Sequence, residues 1–168
     1  MGNSFVAKSS INHVAPQESF HTSLGVDGAV RVTYHPQSKK LKQPTGSVFA
    51  TKTSTTAFAQ RISVRNARRT ILPRLVVRDQ VPISADARVK VTVLEPKELP
   101  TGPGSAQGVL TANGVRARYA QTDDENPAEG DIGNGLVEWV CTVQPGANFD
   151  LNLGWEVSVP VGLRWGRQ

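Results

Sequence analysis

The densest group of chemically capable residues is a set of arginines in the middle of the chain. Arg61 and Arg65 fall on the polar face of an expected strand, because side chains alternate in a strand and Ile62 takes the apolar face. The whole group comprises Arg61, Arg65, Arg68, Arg69, Arg74 and Arg78. Such a positive stripe could bind a phosphate, a nucleic-acid backbone or an acidic glycan. The aromatic residues that stack on a strand-bound nucleic acid are missing from it, so a solvated strand face is the competing interpretation.

Two other sets of residues could hold a metal ion, and neither has the required spacing. A cluster of acids lacks the D-x-[DN]-x-[DN]-G pattern of a calcium loop, and Pro127 interrupts it. Its members are Asp123, Asp124, Glu125, Glu129 and Asp131. The histidines His13, His21 and His35 share no spacing that would place them on one face of an element. The sequence therefore predicts no metal site and no cofactor.

Candidate nucleophiles and stacking residues give little support to catalysis. Cys141 alternates with Trp139 and Val143, which predicts a small hydrophobic residue that faces the core. No G-x-S-x-G, H-E-x-x-H or phosphate-loop motif is present. Trp165, in the terminal stretch GLRWGRQ, could stack on a sugar, but a tail aromatic that covers the end of the core is the favoured interpretation.

Alternation of apolar and polar residues organises the elements that must position these side chains. In FDLNLGWEVSVP (149–160) the apolar residues fall on one face, which is typical of a half-buried strand. The same period predicts strands at residues 30–34, 58–64, 89–93 and 137–143. Turn-forming residues separate them at 25–28, at His35-Pro36 with the following KKLKQPTG, and at Gln144-Pro145-Gly146. We interpret the last of these as a hairpin turn between the two best strands.

Two segments rich in Gly, Pro or acidic residues fit no strand. PTGPGSAQG (100–108) and TDDENPAEGDIGNG (122–135) are interpreted as exposed loops on either side of a strand or hairpin at VLTANGVRARY (109–119). With 15 Gly and 11 Pro in 168 residues, the chain has the composition of a β protein of one domain, residues 1–168. We therefore predict an all-β fold, an antiparallel β-sandwich of immunoglobulin-like or related two-sheet architecture with long loops.

Composition also suggests a compartment. No run approaches the ~18 apolar residues of a membrane span, and the N-terminus lacks the basic-then-apolar order of a signal peptide. The single cysteine excludes an intramolecular disulfide, and no Asn-x-Ser/Thr sequon is present. We expect a cytoplasmic protein without a membrane partner. The net charge of +5 favours weak contacts with polyanions but does not indicate a nucleic-acid-binding protein.

Three blocks of sequence resemble one known family. They are SLGVDGAVRVTYHPQSKKLKQ (23–43), FAQRISVRNARR with VVRDQVPISADARVKVTVLEP (58–96), and GLVEWVCTVQPGANFDLNLGWEVSVP (135–160). In this order and spacing they resemble the C-terminal domain of unknown function of mucoidy inhibitor A-like proteins, particularly the fungal members, over residues 5–160, which leaves 161–168 as a tail. We take as its structural signature Arg78, Asp79, Pro82, Trp139, Pro145, Gly146 and Trp155.

The resemblance implies an antiparallel β-sandwich at the end of a longer protein that also contains a smaller β domain and a coiled coil. It supplies no reaction and no catalytic residue. Because MGNSFV matches the interior of a strand of the family domain, we interpret the chain as a fragment or an unusually short form. Loss of upstream strands would expose a sheet edge, so we expect a dimer or a strand-swapped assembly.

The signature stretch VRDQVPIS (77–84) could be the rim of an active site or the end of a strand. We interpret it as a strand that ends at Val76-Val77, with Pro82 marking an edge or exit because it cannot donate to a sheet ladder. Arg78 and Asp79 are expected to form a local ion pair that fixes this exit. No catalytic role follows from this interpretation.

These observations predict a non-catalytic interaction or binding module. A carbohydrate-binding, lectin-like protein that uses Trp165 is one alternative. A weak nucleic-acid or polyanion binder that uses Arg61 and Arg65 is another. A hydrolase or nuclease has the least support. The expected partner is a protein or a second copy of the chain, with a glycan or a polyanion as further candidates.

Overall fold

The computed structural model describes residues 8, 10, 13–18, 20, 22–45, 52–101, 105–111, 114–120 and 135–163, and for 43–45 the backbone alone. These residues form β-strands and one short 3₁₀ turn, Ser105–Gln107. The strands are β1 (Val30–Tyr34), β2 (Ser38–Thr45), β3 (Thr53–Asn66), β4 (Leu72–Gln80), β5 (Lys90–Glu95), β6 (Val109–Leu110), β7 (Arg116–Tyr119), β8 (Leu136–Val143) and β9 (Asn148–Pro160). No helix in this part of the chain is long and apolar enough to cross a membrane.

The larger sheet, sheet A, has the strand order β1-β3-β9-β5, and β2 also pairs with β3. Because β9 occupies the other side of β3 from Thr53 to Arg65, β1 and β2 follow one another along the same edge. Tyr34 lies opposite Ile62, and Ser38 lies opposite Ala59. Residues 35–37 leave the ladder between these two strands. The edge of sheet A is therefore one strand direction interrupted by a short break.

The smaller sheet, sheet B, has the order β4-β8-β7-β6. All of its pairs are antiparallel, and β6 and β7 form the hairpin that the sequence allowed for residues 109–119. The predicted all-β, two-sheet sandwich is therefore confirmed. Each sheet presents one face to the core between them and one outer face to solvent, as antiparallel sheets commonly do.

The core is built from the alternating residues of both sheets. Trp139 and Trp155 are buried on the inner faces, as the alternation predicts, and Trp155 stacks on Phe58 with ring centroids 5.4 Å apart. Cys141 lies among them at 1% exposure, and burial raises the pKa of its thiol to about 11. The core also contains buried aliphatic side chains such as Ile62 and Leu153, and burial of each contributes about 1.5–3 kcal/mol to folding.

The predicted hairpin at Gln144-Pro145-Gly146 is wrong. β8 pairs within sheet B and β9 within sheet A, so the turn carries the chain from one sheet to the other. Alternation shows which face of a strand is buried, but it does not identify the neighbouring strand. Gly146 adopts a φ of 70°, in the left-handed region that glycine tolerates best.

A fully buried asparagine, Asn66, fastens this crossing. Its Nδ2 donates to the carbonyl oxygens of Val143 (3.2 Å), Gln144 (3.1 Å) and Thr70 (3.0 Å), while its Oδ1 accepts from the backbone N–H of Arg68 at 2.9 Å. A buried amide is stable only when its donors and acceptors find such partners. Asn66 therefore joins the end of β3 in sheet A to the end of β8 in sheet B.

Two other predictions about the strands need correction. The sequence predicts that KKLKQPT belongs to a turn, but this stretch lies in β2. Pairing with β3 stabilises the strand although its residues show no apolar alternation. The strand predicted to end at Val76-Val77 continues to Gln80, where its register with β8 ends at Leu136. Pro82 follows the strand, so its position after the ladder agrees with the interpretation of a strand exit.

The predicted ion pair between Arg78 and Asp79 is also wrong. Successive residues of a strand point to opposite faces, so these two side chains diverge. Arg78 lies opposite Glu138 on the outer face and donates from Nε to Glu138 Oε2 at 3.0 Å. Asp79 lies opposite the buried Val137 and accepts a hydrogen bond from the backbone N–H of Gln80.

Candidate functional site

The break in the edge of sheet A opens a pocket of about 310 Å³ on the outer face of that sheet. We call it the polar pocket; its lining includes His35, Gln60, Arg61, Glu95 and Asn152. Backbone contacts hold the break in place, because His35 N–H donates to the carbonyl oxygen of Arg61 at 3.0 Å. Gln60 Nε2 donates to the carbonyl oxygen of His35 at 2.5 Å. The chain bends out of the ladder here and turns the His35 ring towards β3.

A series of hydrogen bonds crosses the polar pocket, and the chemistry of the groups fixes its direction. A guanidinium has no acceptor, so the 3.2 Å contact between Arg61 Nη2 and His35 Nδ1 makes that ring nitrogen the acceptor. A neutral ring then carries its proton on Nε2, which donates to Ser63 Oγ at 2.6 Å. Ser63 Oγ donates onward to Asp150 Oδ1 at 2.5 Å. Every donated proton therefore points away from the guanidinium and towards the carboxylate.

This direction is the reverse of the one that activates a serine nucleophile. In that arrangement a histidine nitrogen accepts the hydroxyl proton. Here Ser63 accepts from His35 and gives its own proton to Asp150. Ser63 also lies directly opposite Asp150 in the ladder between β3 and β9, so the backbone itself holds these two side chains together. The hydrogen bonds therefore orient the side chains around the pocket and do not activate a nucleophile.

Charges of both signs meet in the polar pocket. Arg61 Nη1 lies 3.9 Å from Asp150 Oδ2, and Glu95 brings a second carboxylate to the lining. Asn152 lies opposite Arg61 in the ladder and adds an amide that can both donate and accept. The pocket therefore offers donors and acceptors without an excess of positive charge.

A second cavity, of about 380 Å³, adjoins the polar pocket. The two cavities share Glu95 and Asn152 in their linings. The second one also touches Trp139 and Leu151, and it carries Thr111 among its polar residues. The second cavity is therefore lined in part by apolar side chains and in part by polar ones.

The structure divides the predicted arginine group between the two sheets. The positions are Arg61 and Arg65 on β3, Arg68 and Arg69 after it, and Arg74 and Arg78 on β4 in sheet B. Part of the charge on and after β3 is neutralised. Arg61 lies near Asp150, and Arg68 Nη2 pairs with Asp27 Oδ2 at 2.5 Å. A backbone hydrogen bond from Ala29 is the main cause that lowers the pKa of Asp27, and Arg68 lowers it further against the opposing effect of desolvation. Arg65 and Arg69 are exposed, and Arg65 lies opposite Arg31 on β1. Of the predicted binding residues that the structure describes, only Arg61 lines the polar pocket.

Several predictions fall on parts of the chain about which the structure gives no information. Trp165 and the acidic residues 123–131 lie outside the described residues. His35 is a candidate only for a metal site in the sequence, and it joins the pocket because His35-Pro36 interrupts the ladder between β1 and β2. That interruption was the available signal. Glu95, Asp150 and Asn152 had none, since polar residues at outward positions of a strand are ordinary.

The described residues also bear on metal binding and on self-association. Among the described residues, no group of three His, Cys, Asp or Glu side chains could hold a metal ion. The edge of sheet A carries Lys39, Lys40 and Lys42 on β2, and lysines on an edge strand disfavour pairing with another chain. Self-association through a sheet edge stays a prediction.

Comparisons with known proteins identify a family without a described activity. Residues 4–161 match the family model described as a domain of unknown function, DUF4139. No curated protein matches the chain, and no solved structure matches it.

Proposed function

The chain belongs to the DUF4139 family, and from that premise we propose that it is a non-catalytic binding module whose ligand contacts lie in the polar pocket. The direction of the hydrogen bonds carries this proposal. His35 and Ser63 are the pair that nucleophilic chemistry would use, and the proton of Ser63 is committed to Asp150. The same bonds hold Arg61 and the His35 ring in place, and such preorganisation lowers the cost of binding.

Labelling with a fluorophosphonate probe tests the non-catalytic half of the proposal. An activated serine attacks the phosphorus of such a probe and displaces fluoride, which leaves the serine phosphonylated. We expect no such modification at Ser63 by intact-mass analysis, alongside a serine hydrolase as positive control. The Ser63→Ala variant identifies the site if any label appears. Labelling that disappears in this variant would show that Ser63 is an activated nucleophile and would contradict the proposal.

A neutral, hydroxyl-rich ligand such as a saccharide is the ligand class that the polar pocket favours. The balance of Arg61 against Asp150 and Glu95 does not select for an anion. The amide of Asn152 and the carboxylates match the paired donors and acceptors of sugar hydroxyls. A lectin-like activity is therefore the second candidate function, here argued from the pocket itself.

A glycan array with wild-type protein and two variants tests this ligand class. Asn152→Ala removes the amide from the pocket, and Lys90→Ala, on the same outer face at β5, is the matched control. We expect saccharide-inhibitable binding that Asn152→Ala weakens by about tenfold, since a lost hydrogen bond contributes about 0.5–1.5 kcal/mol. Binding that both variants change equally, or no binding to any glycan, would argue against the polar pocket as a sugar site.

A polyanion ligand on the Arg61 and Arg65 face is a weaker hypothesis because Asp150 and Asp27 neutralise part of that charge. If it were correct, affinity for a nucleic acid or acidic glycan would fall steeply with salt. A flat salt dependence, or an affinity that Arg65→Gln leaves unchanged, would remove this hypothesis.

We also propose that the chain is related to mucoidy inhibitor A-like proteins of the fungal type, which the three sequence blocks support. Sequencing of the surrounding gene would test it. A neighbouring coding region for a coiled coil would support the relationship, and its absence would argue for a separate branch of the family.

A further inference from the structure

The outer face of sheet B, opposite in the molecule to the polar pocket, carries an unusual excess of arginines. Glu138 lies at the centre of this face, directly opposite Arg78 on β4 and Arg118 on β7. Arg116 on β7 and Arg74 on β4 lie further along the same strands, so this face carries four arginines and one carboxylate among the described residues. Because the register places these residues on one face, their charges act together rather than singly.

Glu138 is engaged by two of the four arginines, Arg78 and Arg118. Its Oε1 accepts from Arg118 Nε at 2.6 Å and contacts Arg118 Nη2 at 2.5 Å, while its Oε2 accepts from Arg78 Nε at 3.0 Å. Its side chain is only 3% exposed. The described residues give Arg74 and Arg116 no carboxylate partner.

Three of these arginines line one cavity. Arg74, Arg116 and Arg118 surround a volume of about 370 Å³, and the rest of its described lining is Ala106, Gln107 and Val140, none of them acidic. We call this cavity the arginine pocket. It lies on the opposite outer face from the polar pocket and shares no lining residue with it.

The backbone of the 3₁₀ turn holds two of the guanidiniums in place. Arg118 Nη1 donates to the carbonyl oxygen of Ala106 at 2.5 Å, and Arg116 Nη1 donates to that of Gln107 at 3.3 Å. Gly108, which follows the turn, lies so close to β7 that a Cβ there would be 2.5 Å from the carbonyl oxygen of Ala117. The end of the turn is therefore packed tightly against β7. Guanidiniums held in this way lose less entropy on binding than free surface arginines.

We propose that the arginine pocket binds a tetrahedral oxyanion of charge −2, the phosphate group of a monoester or free phosphate. A planar carboxylate presents two oxygens and one charge, whereas a phosphate presents three or four oxygens that several guanidinium forks can reach from different sides. Among the described residues, Arg78 and Arg118 contact Glu138, whereas Arg74 and Arg116 have no carboxylate partner and bring two positive charges to the pocket. A dianion matches these two charges.

Calorimetric titration of the full chain at low salt tests the proposal. The probes are inorganic phosphate and phenyl phosphate, which distinguish free phosphate from a monoester, with sulfate as a second tetrahedral dianion and acetate as a planar monoanion. The test variant is Arg74→Gln/Arg116→Gln. The matched control is Lys40→Gln/Lys90→Gln, which removes two charges from the outer face of sheet A.

We expect phosphate and phenyl phosphate to bind in the millimolar range or tighter, sulfate to compete, and acetate to bind at least about tenfold more weakly. The Kd of the double arginine variant should rise about 100-fold, because the loss of each charge-assisted hydrogen bond weakens the affinity roughly tenfold. The lysine variant should bind as wild type does. Phenyl phosphate tighter than phosphate would identify a monoester site, and the converse would identify a site for free phosphate.

Three results would overturn the proposal. These are no binding of any dianion, equal affinity for acetate and phosphate, or equal losses in the arginine and lysine variants. Circular dichroism of both variants separates loss of binding from loss of fold, and Arg74 and Arg116 are exposed enough for folding to survive. Failure here would leave the polar pocket untouched, since the two sites lie on different sheets.

Discussion

The outer faces of the two sheets differ in how their acidic and basic side chains are paired. On sheet A, acids on the central strand β9 meet cations on the strands across the ladder, as Asp150 meets Arg61 and Glu156 meets Lys42. On sheet B, the central strand β8 offers Glu138 alone between two arginine-bearing strands. On sheet A each of these acids pairs with one cation, whereas on sheet B two arginines share Glu138. Sheet A also carries cations outside these pairs, such as Arg65 and Lys90, but on sheet B three arginines line one cavity.

The difference shows that the number of charged residues does not identify a binding face. The arginines on and after β3 are the most conspicuous in the sequence, yet Asp150 and Asp27 take up much of their charge. Arg74 and Arg116 are far apart in sequence, and only the pairing of β4, β8 and β7 brings them to one pocket. The pairing of these strands, and not the local sequence, therefore determines which arginines gather on one face.

The largest effect should come from the carboxylate at the centre of sheet B. Glu138→Gln leaves two guanidiniums without their shared partner, so we expect a loss of about 2–3 kcal/mol in the free energy of unfolding, somewhat below the cost of breaking a fully buried pair because Arg78 is partly exposed. Urea unfolding measures it. Glu156→Gln, the matched change on sheet A, should lose about 0–1 kcal/mol. Equal losses for the two variants would erase the contrast between the faces.

Substitution of single arginines on sheet B sharpens the same contrast. Arg118→Gln should cost about 1–2 kcal/mol, because its side chain is 22% exposed and it supports both Glu138 and the 3₁₀ turn. Arg74→Gln should stay within about 0.5 kcal/mol of wild type, as is usual for exposed positions. Both are read from urea unfolding curves. A cost for Arg74→Gln that matched Arg118→Gln would mean that Arg74 is engaged within the fold and is not available to a ligand.

On sheet A, removal of one hydroxyl should break the network at its centre with a smaller effect. Ser63→Ala takes away the acceptor for His35 and the donor to Asp150, so we expect a loss of about 1 kcal/mol by urea unfolding. Nitrogen NMR of the wild-type ring should show the tautomer with the proton on Nε2. A ring with the proton on Nδ1 would contradict the direction assigned to the hydrogen bonds.

The smallest effect concerns Asp79, which lies on the same strand as Arg78 but faces the other way. Burial, and after it the charge of Asp79, raises the pKa of Tyr34. Asp79→Asn should therefore lower the pKa of Tyr34, followed by the ultraviolet absorbance of tyrosinate in a Tyr119→Phe background. Since a raised pKa favours the neutral phenol, the associated stability is present below the ordinary tyrosine pKa and is lost as pH rises through the folded value. An unchanged Tyr34 pKa would place Asp79 elsewhere.

The fold was largely accessible from the sequence because burial imposes its own period. The alternation around Trp155 and Trp139 predicted their strands and their inward faces correctly. It could not show that the strands at either side of Gln144-Pro145-Gly146 lie in different sheets, because a half-buried strand looks the same whichever partner it has. β2 was missed because its pairing with β3, and not its own residues, makes it a strand.

The candidate sites were much less accessible. Arg61 was identified from its strand face, but His35 reaches it only through the break between β1 and β2. Glu138 looked like an ordinary outward residue of an alternating strand, and its burial by Arg78 and Arg118 depends on the registers of three strands. Pairwise registers between distant segments are tertiary information, and no local period encodes them.

The most direct test of the contrast between the two faces is an NMR titration that follows arginine Nε–H signals while inorganic phosphate is added. The account predicts saturable shifts for Arg74 and Arg116 in the arginine pocket, with Arg61 and Arg65 on sheet A nearly unmoved. Equal shifts on both faces, or larger shifts for Arg61 and Arg65, would contradict it.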